Sequence, residues 1–512
     1  MAAFESGAQP TFESGALPMA IFSRSRGPAD RVIGGMSPTQ AVWFGVVLLT
    51  LFRLWFSCRY DLVPDEAYYW VWSKHFALSY RDKGPLVAWT ISLGTALFGD
   101  TVFGVRFFAV LLSAATTYQL YRLAQRLYDE PTALWCVGVA TLIPLFCIGS
   151  ILMTIDPLSV FFWAWGANLC WSGIETGKVR YWFLVGVAVG MGFLAKFTNG
   201  MQLVGIALFL SWSRPHRRFL LSRQSLAMLL GSFLCSLPVV IWNIQTGWLH
   251  LQALGDRSGL DRALVFKPKE FFKYLGGELG ALTPLFLVGM VVAALGLWRR
   301  QSHETRVKFL LTQYVPIQGI CLLLSFNSRV QPNWIAPTLI PGIIMLVAYW
   351  RPLFQRDAKW RKPVWISLGL GLLVTLLLHL ASLLPIPAKY DVLHKAEGWV
   401  DFAQHVQRVR EQHKANLLIA NYYNQASMMQ FYIPDHPVTY LPPAPYGDTE
   451  FTLWPGYEVT NGTRALYVVD GKPMLSDEVK NQFKHSCLVH EFWAKFHGRP
   501  IEHFFIFLLS NE

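Results

Sequence analysis

Two adjacent carboxylates, Asp65 and Glu66, precede an aromatic stretch in the first long polar segment of the chain. A carboxylate at a lipid–water boundary can act as a general base toward a polar acceptor. Acidic residues at a helix start also stabilise the helix, by capping it and by interacting with its dipole. The pair is therefore either catalytic or a helix start, and the residues alone leave both interpretations open.

A third acid, Asp156, interrupts the apolar run 151–158 and directly precedes Pro157. A charge at the centre of a membrane helix costs about 2.5–3.5 kcal/mol, so acids within the membrane are candidates for function. Near a helix end the cost falls, and Asp before Pro is a common helix start. Asp156 is thus a second candidate acid with a structural alternative.

Cations occur in the same polar segments: Lys83, Lys196, Arg257 and Arg329. A lipid phosphate needs cations to hold it, and they also stabilise the charge that develops when phosphate leaves. Snorkelling toward lipid headgroups accounts for such residues without any chemistry.

A membrane domain must position these residues. The 512-residue chain is 53% hydrophobic and 15% charged, whereas soluble domains are about 25% charged. Its net charge of +12 lies mainly in short loops between apolar runs, which is a topology signal of membrane proteins and argues against a nucleic-acid partner. The seven cysteines show no metal-binding spacing.

Apolar runs of about 17–25 residues predict membrane helices. With the N-terminus inside, the Arg- and Lys-rich loops all fall inside only if the short run 86–98 is not a span but an interfacial or re-entrant helix. The sequence thus predicts about eleven spans. They are 40–58, 103–122, 132–150, 154–173, 181–195, 199–213, 225–244, 278–298, 307–325, 334–350 and 363–384.

Three parts follow from this pattern: a disordered cytoplasmic tail (1–39), a membrane catalytic domain (40–384) and an extracytoplasmic domain (385–512). The last part alternates short helices and strands, which predicts a small α/β fold. The predicted elements are helices 396–413, 424–432 and 477–485, strands 416–420, 438–441 and 465–469, and two closing apolar runs. This domain has no clustered carboxylate motif, so we expect the main catalytic acids to lie elsewhere.

Six short motifs occur in a fixed order. They are Asp65-Glu66-Ala67-Tyr68-Tyr69-Trp70, Asp82-Lys83-Gly84-Pro85, Asp156-Pro157, Lys196-Phe197-Thr198, Trp242-Asn243 with Gly247-Trp248, and Pro332-Asn333-Trp334. The set resembles bacterial members of the dolichyl-phosphate-mannose protein mannosyltransferase superfamily, which includes aminoarabinose transferases of lipid A. The resemblance extends over residues 40–350, with a looser match at 423–432. Gly84 departs from it, because relatives often have two prolines at this turn.

The resemblance implies the membrane-embedded GT-C fold, a polyprenyl-phosphate sugar donor and inversion at the anomeric carbon. It implies Asp65 as the base with Glu66 beside it, and Asp156 as a second acid. Lys83 and Lys196 would lie near the donor phosphate, and loop position adds Arg257. The other expected cavity residues are Tyr69, Asp82, Asn243, Arg329 and Asn333. No cofactor is certain, and a divalent cation stays open.

The predicted fold is therefore an α-helical polytopic membrane protein of the GT-C type with a small C-terminal α/β domain. A flippase or transporter of lipid-linked sugars is the alternative, but transporters carry internal repeats and broken helices near the midplane. We find no such repeat, and the polar residues gather at one membrane face. We expect an inner-membrane glycosyltransferase with a periplasmic active site. Its envelope acceptor is lipid A, a glycan or a protein, and the sugar stays open.

Overall fold

The structure is a computed structural model that describes residues 36–258, 266–380, 394–442 and 449–511. The chain divides after Gly45 into two units. The described residues of the first unit include the start of the first helix, and the features below belong to the second unit. Most of the predicted tail 1–39, and the predicted boundary at 385, lie outside the described residues.

Up to residue 380 the described chain is built from helices. They are α1 Pro38–Phe56, α2 Pro64–Lys74, α3 Leu86–Phe98, α4 Val102–Leu127, α5 Glu130–Thr141, α6 Pro144–Gly149, α7 Ile155–Thr176, α8 Val179–Ala195, α9 Met201–Trp212, α10 Arg223–Gln245, α11 Leu249–Ser258, α12 Pro268–Leu282, α13 Pro284–Gln301, α14 Thr305–Ser325, α15 Leu339–Arg356 and α16 Arg361–Leu380. Short 3-10 helices occur at several junctions, including Phe197–Gly200 and Pro332–Thr338.

Six of the described segments are long and apolar enough to cross a membrane, and a bent pair of helices would make a seventh. The six contain α1, α4, α10, α14, α15 and α16. Shorter apolar helices include α3, α8 and α9. The chain is thus a multi-pass membrane protein. The count of about eleven spans is not confirmed, and the side on which each loop lies stays a prediction.

Two predicted spans are not single helices. The run 132–150 breaks between α5 and α6, where Ile143 is extended because Pro144 disfavours the helical conformation for its neighbour. The span predicted at 278–298 contains a sharp bend. Helices α12 and α13 meet there at 99°, and Thr283 between them has a φ of +67°.

The pair α8 and α10 packs with backbones in close approach. A Cβ atom at Gly186 would lie 2.0 Å from the carbonyl oxygen of Met228, and one at Gly231 would lie 2.4 Å from that of Phe183. Small residues allow membrane helices to pack this closely. The packing fixes α8, whose C-terminal end leads into Lys196.

The C-terminal segment forms a five-stranded mixed sheet with the strand order β2-β1-β3-β5-β4. Its elements are α17 Trp399–Gln412, β1 Leu417–Ala420, α18 Tyr423–Tyr432, β2 Thr439–Tyr440, β3 Arg464–Asp470, α19 Asp477–Lys480, β4 His485–Phe496 and β5 Arg499–Ser510. Strand β1 pairs in parallel with β2 and β3, whereas β5 is antiparallel to β3 and β4. The predicted α/β fold is confirmed, although the last predicted helix is only α19.

One face of this sheet shares a hydrophobic core with the segment between α1 and α4, which we call the first loop. Trp70 of α2 contacts Phe431 of α18 edge to face, with ring centroids 5.0 Å apart. The hydroxyl group of Tyr432 accepts a hydrogen bond from the amide of Leu62 at 2.6 Å. The carboxylate of Asp61 accepts one from the amide of Trp399 at 2.8 Å. The C-terminal segment therefore packs directly on the loop that carries the acidic pair.

Candidate active site

The start of α2 separates the two acids of the first loop. Asp65 and Glu66 both lie in the first turn of the helix. Consecutive residues of an α-helix point about 100° apart, so the two carboxylates face different surroundings. Asp65 lines a cavity and is exposed there, whereas Glu66 is fully buried.

Glu66 is held in a buried ion pair with Arg106 of α4. The shortest distance, from Arg106 Nη2 to Glu66 Oε2, is 2.6 Å. The carboxylate also accepts hydrogen bonds from the amides of Val63 at 3.0 Å and Met153 at 2.7 Å. This geometry gives Glu66 a positioning role, and it does not support the prediction that Glu66 is catalytic.

Asp156 is held by two partners. Its Oδ1 accepts a hydrogen bond from Lys196 Nζ at 2.8 Å, and its Oδ2 accepts one from Asn333 Nδ2 at 2.7 Å. Lys196 also donates to the carbonyl oxygen of Asn333 at 2.9 Å. The hydroxyl oxygen of Thr154 caps the start of α7 by accepting from the amide of Asp156. Three residues predicted from separate motifs thus form one network.

A cavity of 560 Å³ brings the candidate acids together. Asp65, Asp156 and Asn333 line it from the membrane domain. The C-terminal segment forms the opposite wall with polar and ionisable side chains: His394, Lys395, Glu397, Tyr423, Asn424, Gln425, Asp470 and Glu502. A cavity of this size, lined by polar groups from both segments, can hold a polar small-molecule ligand.

The surroundings of Asp65 make its carboxylate a stronger base. Desolvation by the surrounding cavity walls raises the pKa of Asp65, although the nearby charges of Lys83 and Lys395 and a hydrogen bond from Tyr423 oppose the rise. The Tyr423 hydroxyl group donates to Asp65 Oδ1 at 3.4 Å. A general base works best when its pKa lies closer to the operating pH than that of an ordinary carboxylate.

The turn between α2 and α3 lies against the end of α8. A Cβ atom at Gly84 would lie 2.1 Å from the carbonyl oxygen of Leu194, so this turn cannot approach so closely with a larger residue. Lys83 is half-buried in this turn. The carboxylate of Asp82 lies 3.9 Å from the guanidinium group of Arg81, and both side chains are largely buried.

Two residues that the sequence interpretation missed hold this turn. Glu450, in the C-terminal segment, accepts a hydrogen bond from the amide of Arg81 at 2.7 Å. His250 of α11 contacts the carbonyl oxygen of Arg81 through Nδ1 at 2.6 Å. Burial raises the pKa of Glu450 to about 7 and lowers that of His250. Neither residue belongs to a motif, so no signal in a single sequence would have found it.

The remaining predicted site residues do not all reach the cavity. Tyr69 is buried against Tyr68 and Trp72, and burial raises its pKa, with the charge of Asp65 adding to the rise. Asn243 is buried in α10, where it donates to the carbonyl oxygen of Val239 at 2.9 Å. Neither lines the cavity that contains Asp65.

The two other predicted cations are Arg329 and Arg257. Arg329 is exposed, and its charge acts on Glu270. The side chain of Arg257 is outside the described residues. Within the described ranges, no group of three His, Cys, Asp or Glu residues is arranged to hold a metal ion. The question of a divalent cation therefore stays open.

Comparison with known proteins finds relatives over much of the chain. Residues 82–242 match the family model described as dolichyl-phosphate-mannose-protein mannosyltransferase. The lipid A galacturonosyltransferase RgtD of Rhizobium johnstonii is 26% identical over 363 residues, covering 68% of this chain and 72% of that protein. The undecaprenyl phosphate-alpha-4-amino-4-deoxy-L-arabinose arabinosyl transferase of Pseudomonas paraeruginosa is 29% identical over 343 residues, covering 61% of this chain and 60% of that protein.

A solved structure shows the same fold. The crystal structure of ArnT from Cupriavidus metallidurans bound to undecaprenyl phosphate matches with a TM-score of 0.61 and 14% identity. The match covers 91% of this chain and 98% of that chain. By the family match, the relatives and the fold together, the chain is similar to bacterial membrane glycosyltransferases of the GT-C type, among them the aminoarabinose transferases of lipid A.

Proposed function

We propose that this protein transfers a sugar from an undecaprenyl-phosphate carrier to lipid A, at the periplasmic face of the inner membrane. The relatives named above are transferases of this kind, and one solved neighbour is bound to undecaprenyl phosphate. The observation that carries the proposal is the cavity in which Asp65 and Asp156 lie opposite a polar wall of the C-terminal segment. None of these relatives is a transporter, so the flippase alternative is not favoured.

In the proposed mechanism, Asp65 accepts the proton of an acceptor hydroxyl group. The acceptor oxygen forms a bond to the anomeric carbon while the bond from that carbon to the phosphate oxygen breaks, with inversion. The phosphate leaves with the bonding electron pair, and Lys83 stabilises its charge. Phosphate needs no proton to leave, so one base suffices. An acceptor that is itself a phosphate is already anionic, and Asp65 would then orient it.

We assign Lys196 first to the orientation of Asp156, because the two are paired at 2.8 Å. The ion pair and Asn333 fix both oxygens of the second acid on the cavity wall. Asp156 then provides a hydrogen-bond acceptor for hydroxyl groups of the donor sugar. The resemblance also predicts that Lys196 lies near the donor phosphate, and this stays a prediction.

Mass spectrometry of lipid A tests the proposal. Cells that lack the gene should lose one sugar substituent, and the mass lost identifies the sugar as aminoarabinose, galacturonic acid or another residue. Complementation with the wild-type gene should restore it, and complementation with Asp65→Asn should not. Unchanged lipid A together with a changed glycan or glycoprotein would show that the acceptor is wrong. No change in any envelope component would refute the proposed function.

A further inference from the structure

A second, smaller cavity adjoins the candidate active site. Its volume is about 80 Å³, and it lies among α1, α4, α5, α6 and α7. Asp156 lines both this cavity and the larger one, as do Leu145 and Gly149. A space of this size admits several water-sized groups. The two cavities therefore meet around Asp156.

Arg53, in the last turn of α1, is the cation of this small cavity. It is 6% exposed. Its Nη1 atom donates a hydrogen bond to the hydroxyl oxygen of Ser113 at 3.2 Å, and its Nε atom is buried without a hydrogen-bond partner among the described residues. Among the described residues, no carboxylate lies within ion-pair distance of this guanidinium group.

A buried arginine of this kind lacks the anion that normally accompanies it. Buried charges in proteins are paired, because an uncompensated charge loses its hydration and gains nothing in return. Within membrane segments, such charges mark the paths and sites of substrates. The neighbouring wall is polar but neutral, with half-buried hydroxyl residues of α4: Ser113, Thr116 and Thr117. The hydroxyl groups of this wall can donate hydrogen bonds to an anion, and the wall itself carries no charge.

Asp156 is not the anionic partner that Arg53 lacks. Its two oxygens are occupied by Lys196 and Asn333, and that cation neutralises its charge. Arg53 is therefore the positive group of a cavity that opens toward the reacting acids. The last turn of α1 leads into the first loop, so this position lies at the same end of the membrane helices as the acidic pair.

We propose that Arg53 binds a phosphate group carried by one of the two lipid substrates, with the hydroxyl residues of α4 completing the subsite. The inference rests on the proposed function, because only a lipid-borne substrate would bring phosphate to this depth. A guanidinium group binds phosphate through parallel, charge-assisted hydrogen bonds, and Nε is one of the donors that such a pair uses. The phosphate belongs either to the polyprenyl carrier or to the acceptor lipid.

Three variants test this subsite. Arg53→Gln removes the charge. Ser113→Asp keeps the arginine and gives it a carboxylate that competes with phosphate. Arg59→Gln is the matched control. Arg59 is an exposed cation just after the C-terminal end of α1, where it stacks on Trp55. Thermal unfolding without lipid should be no lower for Arg53→Gln than for wild type, because the variant loses an uncompensated buried charge.

Binding of undecaprenyl phosphate to purified protein comes first. If wild type does not bind it, the proposed function fails and this inference fails with it. If wild type binds it, we expect Arg53→Gln and Ser113→Asp to bind about tenfold to a hundredfold more weakly, with Arg59→Gln unchanged. That result assigns the phosphate to the carrier.

The second experiment measures the KM for the acceptor lipid. If carrier affinity is unchanged, the KM for phosphorylated lipid A should rise by a similar factor in both variants, whereas the KM for the dephosphorylated lipid should not. That result assigns the phosphate to the acceptor. Wild-type carrier affinity and wild-type KM in Ser113→Asp and Arg53→Gln would overturn the subsite while leaving the proposed function intact.

Discussion

Asp65→Asn should remove most of the transfer activity and leave the fold intact. The residue before the helix, Val63, occupies the N-cap position of α2, so the capping role that the sequence left open for Asp65 does not apply. The structure gives its side chain one long hydrogen bond, from Tyr423 at 3.4 Å. Losing that bond and the interaction with the helix dipole costs no more than about 1–2 kcal/mol of folding stability. Losing a general base lowers the rate by about 10²–10⁴-fold.

Glu66→Gln is the matched comparison, because it makes the same chemical change at the next position. The variant leaves Arg106 buried without its ion-pair partner, since the side chains of both partners are at most 1% exposed. Breaking a buried pair from one side costs about 3–5 kcal/mol. We therefore expect Glu66→Gln to lower the yield and the unfolding temperature, and Asp65→Asn to lower the rate per folded molecule.

Both variants should be purified, checked for a single folded species and assayed for initial rates with the native donor and acceptor. A well-folded Asp65→Asn protein with wild-type turnover would refute the assignment of the base. Equal loss of stability in the two variants would refute the division of roles between the neighbouring acids.

Three further predictions concern the loops around the site. Lys83→Ala should weaken the binding of undecaprenyl phosphate, whereas the exposed Lys359→Ala should not; equal affinities would return Lys83 to the interaction with lipid headgroups. Glu450 has its pKa raised from 4.5 to about 7 by burial, so the folded protein holds this proton more tightly and loses stability as the pH rises from about 5 to 7. Glu450→Gln should therefore gain up to about 3 kcal/mol relative to wild type between pH 5 and pH 8, and a pH-independent difference in unfolding temperature would contradict this cause. Reporter fusions at positions 217 and 400 should score on opposite membrane sides, inside and outside, and the same side for both would overturn the predicted topology.

Local patterns in the sequence predicted most of the elements. Length of an apolar run identifies a membrane helix, and alternation of short strands and helices identified the C-terminal fold, including β1, β3 and α18. The bend at Thr283 was not predictable in this way. The apolar run continues through the bend, and the interruption depends on one residue with a positive φ followed by Pro284.

The candidate site was predicted in part. The resemblance indicated Asp65, Asp156 and Asn333. All three side chains line the same cavity in the structure. Contacts from distant parts of the chain were not predicted. Lys395 lines the same cavity and acts electrostatically on Asp65, although hundreds of positions separate the two in the sequence. Spacing along one chain carries no information about such a pair, because the fold alone brings the partners together.

The acidic pair is best understood as one acid for chemistry and one for position. Glu66 accepts hydrogen bonds from Arg106 and from the amide of Met153, three residues before Asp156. One buried carboxylate therefore fixes both the start of α2, which carries Asp65, and the approach to α7, which carries Asp156. Arg106 in turn donates to three carbonyl oxygens of the first loop, those of Ser57, Tyr60 and Asp61.

An apolar pair of similar volume could match the stability of this ion pair, but it would leave the backbone groups that the two charges now bind without partners. Each buried backbone group without a partner costs about 1–3 kcal/mol, so the loop would move to satisfy them. The distance between the two candidate acids would then no longer be set by a single group. The acid next to Asp65 is thus required for the geometry of the site, although its own carboxylate does not face the cavity.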